Sequence, residues 1–142
     1  MKLLFLILLL PFQVFAADLL ELRYVLAGEK PGAASVKFQD DTLWLNTEVV
    51  ISGKDVEKAG VMYGGEGWSI LVQLTAEGSK RFDEFAAQHL GDRLAILIRG
   101  KVLSAPVVRE KKYGGRISVA GGFTQEKALS LAKALNDNAA KP

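Results

Sequence analysis

The sequence has 142 residues, about one domain's worth, with 18 basic and 16 acidic side chains and a net charge of +2. So balanced a charge argues against nucleic acid as a partner. The chain has no cysteine and one histidine, which excludes disulfides, thiol nucleophiles and, within one chain, zinc–thiolate or multi-histidine metal sites. The sequence gives no reason to expect a cofactor.

Residues 1–16 have the pattern of a secretory signal peptide, with a positive start and a small residue at the end. The apolar run Leu3–Leu10 is shorter than the roughly 20 residues of a membrane span. Cleavage is predicted between Ala16 and Ala17. We therefore expect residues 17–142 to be exported without a stable membrane span, and a leader retained as an anchor is the alternative.

Strands dominate the first half of the mature chain. Alternating apolar and charged residues predict the first strand over Leu20–Leu26. Ser52 as an N-cap, with Asp55 at the third helical position, predicts a short helix that ends near Gly60. The glycine-rich stretch Met62–Gly67 predicts a loop. Further strands are predicted at Val36–Phe38, Thr42–Asn46 and Glu48–Ile51, with a turn at Asp40 and Asp41.

Two longer helices are predicted in the second half. Thr75 and Thr124 are suitable N-caps, and the first helix is expected to run to about His89 before Gly91 ends it. The tail 136–142 is polar and expected to fray. The core-facing helix residues are predicted to be Phe82, Phe85, Ala86 and Leu90 in the first and Ala128, Leu131, Ala132 and Leu135 in the second. Strands are predicted at Trp68–Leu74, Leu94–Ile98, Val102–Val108 and Arg116–Ala120, with a second turn over Arg109–Gly115.

These elements favour the α+β class. Short amphipathic strands joined by tight turns are typical of a mostly antiparallel sheet, and the apolar faces of the two main helices need a surface to cover. We expect a two-layer sandwich with two main helices, and a short third one, on one face of the sheet.

Five segments of the mature chain follow one another in a recognisable order. They are Leu20-Glu-Leu-Arg-Tyr-Val25, Val49–Ala59, Leu90–Ile96, Gly100–Val107 with its Ser-Ala-Pro step, and Ile117 followed by Gly121-Gly-Phe-Thr124, which leads into the last helix. In this order the segments resemble the head subdomain of the first periplasmic domain of SecD, an accessory subunit of the bacterial protein-export machine.

The resemblance covers nearly all of 17–142 and implies a periplasmic, protein-facing domain. Two features depart from the family pattern: Arg99 stands where an aspartate often precedes the turn glycine, and Asn136–Ala140 replaces the usual segment that leads to the membrane. SecD continues into a transmembrane bundle that carries the proton-coupled work. We expect this chain to be the head alone, exported and detached from that activity.

Residues with catalytic or ligand-binding chemistry are interpreted as structural or surface residues. The single histidine lies at a predicted helix end, where a cation suits the helix dipole. Adjacent carboxylates point different ways on a helix or strand and form no ready acid–base pair. No catalytic, cofactor or metal residue is predicted. The residues interpreted as structural or surface residues are His89, Ser104, Ser118, the pairs Asp40–Asp41 and Asp83–Glu84, and the Gly64–Gly67 loop. The aromatic residues Trp44, Trp68 and Phe123 are assigned to packing.

A basic cluster surrounds Tyr113 at the predicted tip between two strands. A solvated turn is the simpler interpretation. The functional hypothesis is a surface for an acidic partner, formed with the loop at 60–67 and anchored by the tyrosine. Replacing Tyr113 with alanine and reversing the lysine charges is then expected to weaken partner capture without lowering the melting temperature. The cluster comprises Arg109, Lys111, Lys112, Tyr113 and Arg116.

The sequence thus favours a non-catalytic periplasmic module that binds a protein or an unfolded polypeptide. Two alternatives stay open: a small periplasmic hydrolase or other enzyme, and an inhibitor-like adaptor that binds through a free sheet edge. The residues leave the identity of the partner, its link to export and the oligomeric state undetermined.

Overall fold

The computed structural model describes residues 18–139. The predicted leader 1–16, its Ala16–Ala17 cleavage position and the last three residues lie outside this range. Within it, eight strands and two α-helices succeed one another along the chain, with one 3-10 helix at Gly53–Asp55. The other elements are β1 (Leu20–Leu26), β2 (Ala34–Phe38), β3 (Asp41–Ser52), β4 (Val56–Gly64), β5 (Gly67–Leu74), α1 (Ala76–Gln88), β6 (Leu94–Ile98), β7 (Lys101–Ser104), β8 (Arg116–Phe123) and α2 (Gln125–Asp137).

Five strands form an antiparallel sheet in the order β2-β3-β1-β6-β7. All five residues of β6 are buried because both faces of this strand are covered. Leu94, Ile96 and Ile98 face the main core, while Ala95 and Leu97 belong to a smaller cluster on the opposite face. This explains why the strand is a continuous apolar run rather than an alternating one.

The strands β4, β5 and β8 form a second antiparallel sheet, with β5 in the centre. The helix α2 packs on all three strands. Both predicted helix caps are confirmed: Thr75 Oγ1 accepts a hydrogen bond from Gly78 N–H at 3.1 Å, and Thr124 Oγ1 accepts one from Lys127 N–H at 3.1 Å. The predicted core face of α2, formed by Ala128, Leu131, Ala132 and Leu135, is buried.

The α+β class is confirmed, with antiparallel strand pairing and two main helices, but the strands are divided between two sheets. The predicted strand Val102–Val108 ends at Ser104, and the chain then crosses from β7 to β8 in the other sheet. The segment 109–115 is therefore a crossover rather than a hairpin tip. On α1, Phe82 and Ala86 are buried as predicted, but Leu90 lies beyond the helix end and is exposed.

The predicted short helix is a single 3-10 turn that ends at Asp55 rather than near Gly60, and most of the segment predicted as a loop after it is strand. The cap signal at Ser52 and Asp55 is satisfied by a single 3-10 turn, with Ser52 N–H donating to Asp55 Oδ2 at 3.0 Å. The chain then continues as β4, which pairs with β5 along its length. The predicted loop at 62–67 is the closed end of this hairpin, where Tyr63 lies opposite Trp68 and the two rings are 5.1 Å apart.

The predicted frayed tail begins too early. Asn136 belongs to α2, and its side-chain amide binds the backbone of Ala59 in both directions. Asn136 Nδ2 donates to Ala59 O at 2.9 Å, and Ala59 N–H donates to Asn136 Oδ1 at 2.7 Å. The last turn of α2 is thus fixed to the outer edge of β4. Neither helix of residues 18–139 is long and apolar enough to span a membrane.

Candidate functional site

The crossover from Ala105 to Gly115 joins the two sheets and carries the predicted basic cluster. Its first part runs beside the start of β6: Leu94 N–H donates to Pro106 O at 2.9 Å, and Val108 N–H donates to Asp92 O at 2.8 Å. The first part of the crossover is therefore held beside the five-stranded sheet by an isolated antiparallel bridge between Arg93 and Val107.

Tyr113 fixes the second part of the crossover to α1. Its ring packs against Phe82, with ring centroids 5.0 Å apart. Its N–H donates to Asp83 Oδ1 at 2.9 Å, and its hydroxyl oxygen accepts from Arg109 N–H at 3.2 Å. Tyr113 is therefore half-buried and structural, so the expectation that its loss leaves stability unchanged does not fit these contacts. Asp83, interpreted as a solvated carboxylate, is one of its partners.

An open apolar cleft of about 510 Å³ lies between the crossover and the two sheets. Buried core side chains form its floor, and exposed Val107 and Leu71 lie along it. Two exposed arginines also line the cleft, Arg109 on the crossover and Arg116 at the start of β8. The lining also includes Leu22, Phe82, Leu94, Ile96, Pro106, Val108, Glu110, Tyr113, Ile117 and Ser118.

Three of the five residues predicted to bind a partner line this cleft: Arg109, Tyr113 and Arg116. Lys111 and Lys112 lie outside it on the same crossover, and both are exposed. Within residues 18–139, none of the four cations of the cluster forms an ion pair. Their charge is therefore available to a carboxylate from another molecule.

The hairpin end at 64–67 is not part of this surface. Along β5, Trp68 pairs with Phe123 at one end of β8, and Gln73 pairs with Arg116 at the other. At about 3.3 Å per residue, these two ends are about 17 Å apart. The closed end of the hairpin therefore lies far from the basic cluster, whereas Gly60, at the start of the expected segment 60–67, lines a smaller pocket together with Arg116.

The single histidine belongs to an aromatic cluster that the sequence did not reveal. His89 lies 4.3 Å from Phe85 and 4.4 Å from Tyr24, measured between ring centroids. Its Nδ1 is 3.2 Å from Asp92 Oδ2, which also accepts from the Tyr24 hydroxyl at 3.3 Å. Burial, and then the charge of Asp92 and its hydrogen bond, raise the pKa of Tyr24. The cluster fastens the end of α1 to β1.

The two buried carboxylates each have their own arginine. Arg23 Nε lies 2.8 Å from Glu21 Oε2, and Arg81 Nη2 lies 2.7 Å from Asp55 Oδ1. Arg23 also donates to the carbonyls of residues 46 and 47, where β3 bulges away from its ladder with β1. Each buried carboxylate is thus paired with a guanidinium group, because an unpaired buried charge would be strongly destabilising.

The other candidate residues from the sequence lie on strands or in the core. Ser104 is half-buried on β7, and Ser118 is exposed on β8 beside the cleft. Trp68 and Phe123 pack against the main core, as predicted, while Trp44 is half-buried on β3. Within residues 18–139, no cluster of three or more histidine, aspartate or glutamate side chains is arranged to hold a metal ion.

Several known proteins are similar to this chain in sequence, and two solved structures are similar in fold. The protein translocase subunit SecD of Magnetococcus marinus is 29% identical over 130 residues, covering 84% of this chain and 25% of that protein. SecD of Aquifex aeolicus is 38% identical over 84 residues, covering 58% of this chain and 17% of that protein. This chain thus spans about a quarter or less of the length of these relatives.

Two solved structures of SecDF are also similar. One, described as a membrane component that enhances protein export, superposes with a TM-score of 0.69 at 27% identity, covering 85% of this chain and 63% of that chain. The other, SecDF in a super-membrane-facing form, gives a TM-score of 0.68 at 26% identity, covering 85% and 19%. The family model for the SecDF P1 head subdomain matches residues 24–140. The chain therefore belongs to the SecDF P1 head subdomain family.

Proposed function

We propose that this chain is a non-catalytic periplasmic module that binds proteins in connection with protein export, and that the apolar cleft holds its partner. The family relationship supports the link to export, since the relatives are subunits of the protein translocase. The proposal concerns the head alone and includes no proton-coupled step.

The cleft is the observation that carries this proposal. The cavity of about 510 Å³ lies within the size range of ligand-binding clefts, and it is lined mostly by apolar side chains, as such clefts usually are. Unfolded polypeptides present the apolar side chains that such a surface would cover. The buried carboxylates Glu21 and Asp55 are each neutralised by an arginine, which favours binding over hydrolysis.

The test compares two exposed apolar residues. Val107 lines the cleft and is 40% exposed, while Leu129 lies on α2, away from the cleft, and is 49% exposed. Binding of a fluorescent, permanently unfolded exported protein is measured by anisotropy. Val107→Glu is expected to weaken binding about tenfold or more, because it places a charge in the apolar cleft. Leu129→Glu is expected to bind like the wild type. Equal binding by both variants would contradict the proposal.

A further inference from the structure

The first half of β8 forms one wall of the cleft and has a free edge. It ends the three-stranded sheet, and within residues 18–139 no strand pairs with its outer side. Leu74 N–H of β5 donates to Gly115 O at 2.8 Å. Because alternate residues of an antiparallel strand bond to the same neighbour, Gly115 and Ile117 face β5. The backbone groups of Arg116 and Ser118 therefore point away from the sheet. The Arg116 N–H already donates to Tyr113 O at 3.3 Å, so the open groups of this edge are the Arg116 carbonyl and the N–H and carbonyl of Ser118.

The opposite wall of the cleft also has backbone groups that point away from a sheet, at the isolated bridge between Val107 and Arg93. Pro106 and Val108 bond to the start of β6, so the N–H and carbonyl of Val107 between them point away from it. Both Val107 and Ser118 line the cleft. An extended chain in the cleft thus meets unpaired peptide groups as well as apolar side chains.

The charges at the rim indicate what kind of segment fits. Arg109 continues one wall and Arg116 begins the other. Lys111 and Lys112 lie on the crossover between them, and Glu110 is the one acidic residue of this stretch. An apolar segment with a neighbouring carboxylate therefore complements both the floor and the rim.

The other edge of the same sheet is less accessible. At Ala59 of β4, the side-chain amide of Asn136 occupies both the N–H and the carbonyl, at 2.7 and 2.9 Å. This arrangement blocks strand addition at the middle of β4, as natural sheet edges are often protected. At the cleft edge of β8, Tyr113 O occupies the Arg116 N–H at 3.3 Å, but no partner among the described residues occupies the peptide groups of Ser118.

We propose that the cleft binds an extended polypeptide segment as an added strand on the free edge of β8 at Ser118, with apolar side chains over the cleft floor and a flanking Asp or Glu at Arg109 and Arg116. This inference rests on the proposed function and specifies its ligand. Main-chain hydrogen bonds supply affinity in such strand addition, and side-chain pockets supply selectivity.

The test uses short fluorescent peptides with the purified wild-type chain. One peptide has an apolar centre flanked by aspartates, and its matched control has lysines in their place. Two further versions of the acidic peptide carry N-methyl groups on alternate amides, one version in each register. Because only alternate amides of a bound strand face β8, one register is expected to weaken binding about tenfold and the other to leave it unchanged.

Two variants test the protein side of the same contact. Ser118→Pro removes an edge N–H at a position where an edge strand tolerates proline, and Ser118→Ala keeps that N–H as the matched control. We expect the proline variant alone to bind the acidic peptide about tenfold more weakly. The melting temperature of Ser118→Pro is measured as well, to show that this variant is folded. If it is unfolded, the N-methylated peptides with the wild-type chain still test whether the peptide bonds to the edge of β8.

The outcomes separate the two proposals. A register-dependent loss, with the acidic peptide preferred over the lysine peptide, supports strand addition. Peptide binding that N-methylation weakens in neither register overturns this inference and leaves the proposed function standing. Equal binding of the acidic and the lysine peptide does the same. If no peptide and no unfolded protein binds, both proposals fail.

Discussion

Replacing Tyr113 with alanine is expected to lower the stability of the fold. Taken as an exposed anchor, Tyr113 would be dispensable for stability. In the structure its ring packs against Phe82 at 5.0 Å, and its hydroxyl accepts from Arg109 N–H at 3.2 Å. Truncation removes both contacts and leaves a gap between the crossover and α1.

The expected loss of unfolding free energy in Tyr113→Ala follows from these contacts. Replacing a fully buried aromatic side chain by alanine costs about 3–5 kcal/mol. Tyr113 is half-buried, so about half of that applies, roughly 2 kcal/mol. The aromatic contact adds to it, which gives about 2–3 kcal/mol in all. For a domain of this size the melting temperature is expected to fall by roughly 6–12 °C.

Thermal and urea unfolding, monitored by circular dichroism, measure this effect. Tyr113→Phe is the matched control: it keeps the ring and loses only the hydroxyl acceptor, for an expected cost of about 1 kcal/mol or less. A melting temperature for Tyr113→Ala within about 2 °C of the wild type would refute the reasoning, because it would mean that the ring contributes no packing.

Three other parts of the molecule give further predictions. Gly78→Ala is expected to destabilise the fold by about 1–3 kcal/mol in urea unfolding, because a Cβ on Gly78 would lie 2.9 Å from Asp55 Cβ; unchanged stability would contradict this. Reversing Lys111 and Lys112 to glutamate is expected to change stability by less than about 0.5 kcal/mol and to weaken capture of unfolded protein; capture equal to the wild type would count against the cluster. The pKa of Tyr24 is raised from 10.0 on folding, so its stabilising contribution is complete below pH 10 and is lost as the pH rises through the folded value. As the pH rises above 10, the free energy of unfolding, measured in urea, is therefore expected to fall less for Tyr24→Phe than for the wild type. The same fall in both proteins would contradict a contribution from Tyr24 ionisation.

The parts of the fold that local sequence determines could be predicted. Both helices begin at the predicted threonines, and the hydrogen bonds from Gly78 and Lys127 that define these caps span only three residues. The buried face of α2 is set by its residue spacing alone. The β2–β3 turn is also local, but it lies one residue earlier than predicted, because Asp41 already belongs to β3 and pairs with Phe38, which leaves Gln39 and Asp40 as the turn.

The missed features depend on distant contacts. The cap signal at Ser52 is local and real, but the structure of the next segment is decided by pairing of β4 with β5, which the local pattern does not contain. The role of Tyr113 depends on Asp83, 30 residues away in sequence. The basic cluster drew attention to a segment that lines the cleft, but its residue pattern does not reveal which of its side chains is packed.

The cleft itself could not be predicted from the sequence. Leu22, Leu94 and Ile96 have the pattern of ordinary core residues, and they are buried as such. They form a cleft floor because β7 is short and the crossover leaves the two sheets incompletely covered. That arrangement depends on strand order rather than on any motif.

The most direct test of the central claim is photo-crosslinking in living cells. A photo-reactive residue replaces Val107 in the cleft or, as the control, Leu129 on α2, and adducts are identified by mass spectrometry. The account predicts that Val107 captures exported polypeptides or components of the export machine and that Leu129 does not. Equal labelling at both positions, or adducts from Leu129 alone, would contradict the claim that the cleft is the binding site.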